Sequence, residues 1–126
     1  MRLPYVALDD ADLSLRVNGV RVALALREFA VFAFLAERCR DSAPPYRQQK
    51  EAVDDFKAWL AAWGQRFGPL TRQRELAETW HDLDEQDFRK QLSSTRKKFA
   101  TAGLGRFAPW LLPQKGTFGL RVRVLG

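Results

Sequence analysis

A chain of 126 residues, 46% hydrophobic and 29% charged, is sized for one domain with a continuous core and is too apolar for a disordered tail. No run of about 18 apolar residues is present to span a membrane, and Met1 to Asp12 is too short and too acidic for a signal peptide, so a cytoplasmic domain is expected. The net charge of +6 is unevenly placed: residues 1–83 hold 12 Lys/Arg against 12 Asp/Glu, whereas residues 84–126 hold nine against three, as expected of a surface that faces a polyanion.

The first pattern in the chain is Leu13, Leu15 and Val17, then Asn18-Gly19, then Val20, Val22 and Leu24. Two alternating runs around Asn-Gly predict a β-hairpin, because both central residues of a type I′ turn need positive φ. Upstream, Leu3, Tyr5 and Ala7 suggest a further short strand, for which Pro4 argues an edge position or an extended lead-in. Leu26 to Arg40 carries Phe29, Phe32, Ala33, Leu35, Ala36 and Cys39 at helical spacing, a core helix ended by the Asp41 to Pro45 segment. Tyr46 to Gln65 repeats Val53, Phe56, Leu60 and Trp63 at the same period and predicts a second helix. Gly64, Gly68 and Pro69 break it. Thr71 is placed to cap a third helix running to Trp80.

Asp84 to Ala102 sets Phe88, Leu92, Thr95 and Phe99 on one face, with acids at its start and Lys/Arg nearer its end, the order that complements a helix dipole. Gly103 and Gly105 stop this fourth helix. After Trp110-Leu111-Leu112 and Pro113-Gln114-Lys115-Gly116, the residues Phe118, Leu120, Val122 and Val124 alternate with Arg121 and Arg123, which predicts a basic C-terminal hairpin.

The resulting class is α+β. The order of hairpin, helix, inserted helix over about 44–70, helix, basic helix and basic hairpin follows a winged helix-turn-helix, expected to form a single domain over 1–126. Such a domain places its last helix in the major groove of double-stranded DNA and its hairpin, the wing, along the flanking backbone. Opposite Phe88 and Leu92 a helical wheel displays Gln86, Lys90, Ser93, Ser94, Lys97 and Thr101 as candidates to read bases. Arg89 and Arg96 on one flank and Lys98 on the other are candidates for phosphates, joined by Lys115, Arg121 and Arg123 from the wing. Phe56, Trp59, Trp63 and Phe67 are a stacking platform for bases, a self-association surface or plain core. That leaves a protein-interaction or dimerisation module as the alternative to DNA binding.

Chemistry is not expected of this chain. The lone Cys39 forms no internal disulfide and the lone His81 leaves no His/Cys cluster for a metal, so neither metal, cofactor nor catalytic group is anticipated.

Gly19 to Asp41 and Thr71 to Arg123 resemble the effector domains of response regulators, through Leu26-Arg27-Glu28-Phe29, Arg74-Glu75-Leu76, Arg96-Lys97-Lys98-Phe99 and Phe118-Gly119-Leu120. The chain departs from them in its insertion and in lacking a receiver domain before the hairpin. Ala23 to Arg38, the inserted helix, Asp87-Phe88 with Leu92-Ser93, and Pro109 to Leu112 more closely resemble the C-terminal winged-helix region of CRISPR-associated CARF proteins of the ring-nuclease-like kind. That resemblance implies a role in transcription regulation or antiviral defence, a homodimer, and an N-terminal cyclic-oligonucleotide sensor domain missing from this chain.

Overall fold

Asn18 and Gly19 turn the chain with φ of +48° and +87°, and the strands they join, β2 (Ser14–Val17) and β3 (Val20–Ala23), pair antiparallel as the Asn-Gly signal predicts. The computed structural model describes residues 2–114 and 116–125. Strand β1 (Tyr5–Asp9) lies inside the sheet between β2 and the last strand, β4 (Arg123–Leu125), in the order β3-β2-β1-β4. Pro4 is tolerated because it precedes the ladder and contributes its carbonyl, which accepts from the Arg123 N–H at 2.9 Å.

The C-terminal pairing departs from the expected hairpin. Gln114 and Thr117 form a single bridge, Phe118 bridges Tyr46 in the segment before the inserted helix, and β4 then joins β1 in parallel. Alternation of Phe118, Leu120, Val122 and Val124 specifies a strand with one buried face but not its partner, and the open edge of β1 offers more backbone pairing than a tight turn does.

Helix α1 (Leu26–Arg40) forms where its apolar period predicts and is buried without interruption from Glu28 to Glu37, since the sheet and the other helices enclose it on all sides. Helices α2 (Gln49–Gly64), α3 (Arg72–Thr79) and α4 (Glu85–Thr101) match the remaining periodic segments. The Thr71 hydroxyl accepts from the Arg74 N–H, and Asp84 and Asp87 form a reciprocal capping box that starts α4. A turn of 3-10 helix (Gly105–Phe107) and the short α5 (Ala108–Leu111) follow, which apolar spacing did not signal, although Pro109 in the first turn of α5 is suited to a helix start. The chain is thus α+β, and among the described residues no helix is long and apolar enough to cross a membrane.

Aromatic rings bind the inserted helix to the rest. Phe56 of α2 meets Phe34 of α1 at 5.4 Å, Trp80 beyond α3 at 5.9 Å and Phe88 of α4 at 5.6 Å between centroids, largely edge to face. Beside this cluster the nearly buried Glu37 accepts a bidentate pair of hydrogen bonds from Arg66, at 2.8 and 2.9 Å, and one from the Trp59 indole. Burial pushes the Glu37 carboxyl upward, but these donors outweigh it and hold it below the usual carboxylate range. Cys39 fits the packing expected of it, its thiol donating to the Val122 carbonyl at 3.2 Å.

The last residue of α2 marks its closest approach to α3. A Cβ built on Gly64 would lie 2.3 Å from the Ala77 Cβ, well inside van der Waals contact. Gly64→Ala is expected to force the two helices apart and to lower stability by roughly 1–3 kcal/mol, as overpacking does. Chemical denaturation of Gly64→Ala, Ala77→Gly and the double variant checks this: the double variant should recover part of the loss, and additive losses would place the cost elsewhere.

Candidate nucleic-acid interface

Helix α4 is fastened along one side. Phe88, Thr95 and Phe99 are buried, with the Phe99 ring against Phe32 of α1 at 5.5 Å and Phe88 against Phe56 of α2. Its first turn is further held by the Gln49 side-chain amide, which donates to the Glu85 carbonyl at 2.7 Å. These contacts leave Gln86, Arg89, Lys90, Ser93, Arg96, Lys97 and Thr101 exposed, the face that helical periodicity assigns to solvent.

Charge pairing then divides the cations the sequence singles out. Among the described residues Arg89, Lys90, Arg96 and Lys97 make no ion pair and no side-chain hydrogen bond. They stand seven residues apart in two pairs, so each pair spans about 10 Å of the helix axis. Lys98 is different. Its ammonium is tied to the buried Glu28 at 2.5 Å, and Glu28 also accepts from the Ala25 N–H at the start of α1, so this lysine latches α4 to α1. Ser94, half-buried beside it, does not share the exposed face.

The C-terminal cations are dispersed. Arg123 lies on the sheet, its guanidinium 3.6 Å from the Tyr5 ring centroid, donating to the Tyr5 hydroxyl and to the Leu3 carbonyl. It is a strut between β4 and the N-terminal segment, with guanidinium donors already engaged by Tyr5 and Leu3. Arg121 is exposed and donates to the Pro109 carbonyl at 3.1 Å. Lys115 lies outside the described residues.

The side of α4 nearest the C-terminal turn carries a feature the sequence did not reveal. Phe118 packs on Phe88 at 5.8 Å, and beyond it a cleft of about 280 Å³ opens, walled by Arg89, Ser93 and Arg96 on α4 and by Leu112, Pro113 and Phe118 opposite. The Tyr46–Phe118 bridge, with backbone bonds of 3.0 and 2.7 Å, positions that far wall. Tyr46 itself is fixed by burial and by donating its hydroxyl to Asp55, both of which push its pKa upward.

The aromatic stripe of α2 resolves as core. Phe56 and Trp63 are both 0% exposed, while Trp59 and Phe67 are half-buried, Trp59 stacked on Trp63 at 5.5 Å and Phe67 edge to face with it at 5.0 Å between centroids. Self-association through Phe56 and Trp63 is therefore corrected: α1, α3 and α4 already occupy the surface that a partner would need. No protein-family model, no curated protein and no solved structure matches the chain.

Proposed function

We propose that this chain is a DNA-binding module of the winged-helix kind, with α4 lying in the major groove of a duplex and the 112–118 segment resting against the adjoining backbone. The observation that carries the reading is the set of four cations, Arg89, Lys90, Arg96 and Lys97, unpaired among the described residues and set on the solvent face of a helix whose other face is locked into the core. A helix of ordinary diameter fits a major groove about 12 Å wide. Because α4 is already ordered by its packing, binding would cost little backbone entropy. Residues 1–83 carry no net charge, so the excess that would attract a polyanion lies within residues 84–126, the stretch that contains these four cations.

In this reading Arg89 and Arg96 hold phosphates, Lys90, Ser93 and Lys97 approach base edges, and Lys98 acts indirectly by keeping α4 in place. A transcriptional regulator, or the DNA-binding part of a CRISPR-associated system whose cyclic-oligonucleotide sensor lies elsewhere, is the setting suggested by the sequence resemblance. The homodimer implied by that resemblance would need a surface other than Phe56 and Trp63.

Fluorescence anisotropy with a mixed-sequence duplex over a salt series tests the reading, with single-stranded DNA and RNA in parallel. The two phosphate contacts of Arg89 and Arg96 predict that log affinity falls against log salt with a slope of about −2, and that duplex DNA is preferred. A folded sample that retains no duplex at about 50 mM salt would sink the reading and favour a protein-interaction module.

A further inference from the structure

The cleft beside α4 combines two chemistries that a duplex backbone alone does not use. Its α4 wall presents the guanidinium groups of Arg89 and Arg96, unpaired among the described residues and two helical turns apart, with the Ser93 hydroxyl between them. Its opposite wall is apolar: Leu112, Pro113 and the half-buried ring of Phe118, while Leu92 of α4 is itself only partly covered. A phosphodiester is matched by the arginines but gains nothing from a proline and an aromatic ring. A planar base is matched by the ring but not by two cations. A ligand chemistry that satisfies both walls is a nucleotide, and a space of about 280 Å³ sits at the small end of ligand sites, room for one such unit.

We propose that this cleft receives one unpaired nucleotide of the DNA strand that lies along α4, its base against Phe118 and Pro113 and its flanking phosphates on Arg89 and Arg96. The proposal rests on the duplex-binding reading above and adds a structural preference to it. A base held in a duplex cannot reach Phe118 without being unpaired, whereas a bulged nucleotide has already lost its pairing and enters at little cost. The base face then gains an aromatic partner whatever its identity, so the preference is for a distortion and not for a sequence.

The test compares a fully paired duplex with the same duplex carrying a single-nucleotide bulge, by anisotropy at one salt concentration. The bulged duplex is expected to bind about tenfold more tightly, the effect of one base–aromatic stack. Phe118→Leu keeps an apolar contact for Phe88 and should abolish the bulge preference, read as the ratio of bulged- to paired-duplex affinity, and a ratio that stayed near tenfold would overturn the proposal. Phe118→Tyr, which keeps a ring, should retain the preference and serves if the leucine variant folds poorly. Equal binding of paired and bulged duplexes by the unaltered protein would overturn the proposal and leave the duplex reading intact. Failure to bind either duplex would overturn both. Adenosine monophosphate at millimolar concentration, if it competed with both duplexes alike, would overturn the assignment to a strand nucleotide in favour of a free one.

Discussion

Phe56→Ala is expected to lower the unfolding free energy by about 3–5 kcal/mol, the range for deleting a buried aromatic side chain from a packed core. The residue is wholly buried and its ring contacts rings from four directions: Phe34, Trp59, Trp80 and Phe88. Truncation would leave a void bordered by α1, the residue that ends α3 and α4, whose relaxation is limited because each is anchored elsewhere. Domains of this size are stable by only about 5–15 kcal/mol, so the variant should lie close to the folding threshold. Phe56→Leu fills most of the void and should lose appreciably less. Urea titrations at two protein concentrations an order of magnitude apart provide the measurement. A core residue gives concentration-independent midpoints for both proteins. A loss under about 1 kcal/mol, with a midpoint that shifts with concentration, would instead place Phe56 at an interface between copies.

Arg96→Glu combined with Lys97→Glu is expected to weaken duplex binding by about two orders of magnitude at about 50 mM salt, and to reduce the magnitude of the salt slope by about 1. Each cation that neutralises a phosphate releases counterions, so losing Arg96 removes one such release, while the loss of Lys97 from the groove and two new carboxylates add repulsion. Neither side chain has a protein partner among the described residues, so the fold should be unaffected. The comparison that isolates position from net charge is Arg16→Glu with Arg21→Glu, the same charge change on the exposed face of the hairpin. Arg21 is paired with the exposed Asp12, a surface contact of small energetic weight. That control should lose under about threefold, since screening at this salt confines the effect of distant charges. Equal losses from the two double variants would reduce the interaction to non-specific charge attraction and remove α4 from its proposed role.

How much of this was legible in the chain depends on the range over which each feature is determined. Asn18-Gly19 sets its own turn because positive φ is a property of those two residues. The four long helices follow from apolar spacing and are begun by local caps at Thr71 and Asp84. The same periodicity places Arg89, Lys90, Ser93, Arg96 and Lys97 together on the exposed face of α4, because burying Phe88 and Phe99 orients everything between them. Periodicity does not say what covers an apolar face. The α2 stripe reads alike as core or as interface, and the difference was made by Phe34, Trp80 and Phe88 arriving from other elements.

By itself, then, the sequence determined the local elements, the α+β class and the concentration of positive charge beyond residue 83, since each depends on neighbours within a few turns or on composition alone. Tertiary structure decided which cations remain available. Lys98 meets Glu28 across 70 residues and Arg123 meets Tyr5 across 118, pairings that exist only once the chain has closed on itself. It also decided that the alternating C-terminal residues extend the sheet beside β1, and that Phe118, held by Tyr46, faces Arg89 and Arg96 across a cleft. Alternation and charge are local signals. The partner of a strand edge or of a charged side chain is chosen by contacts distant in sequence, where loop closure and packing set the energy.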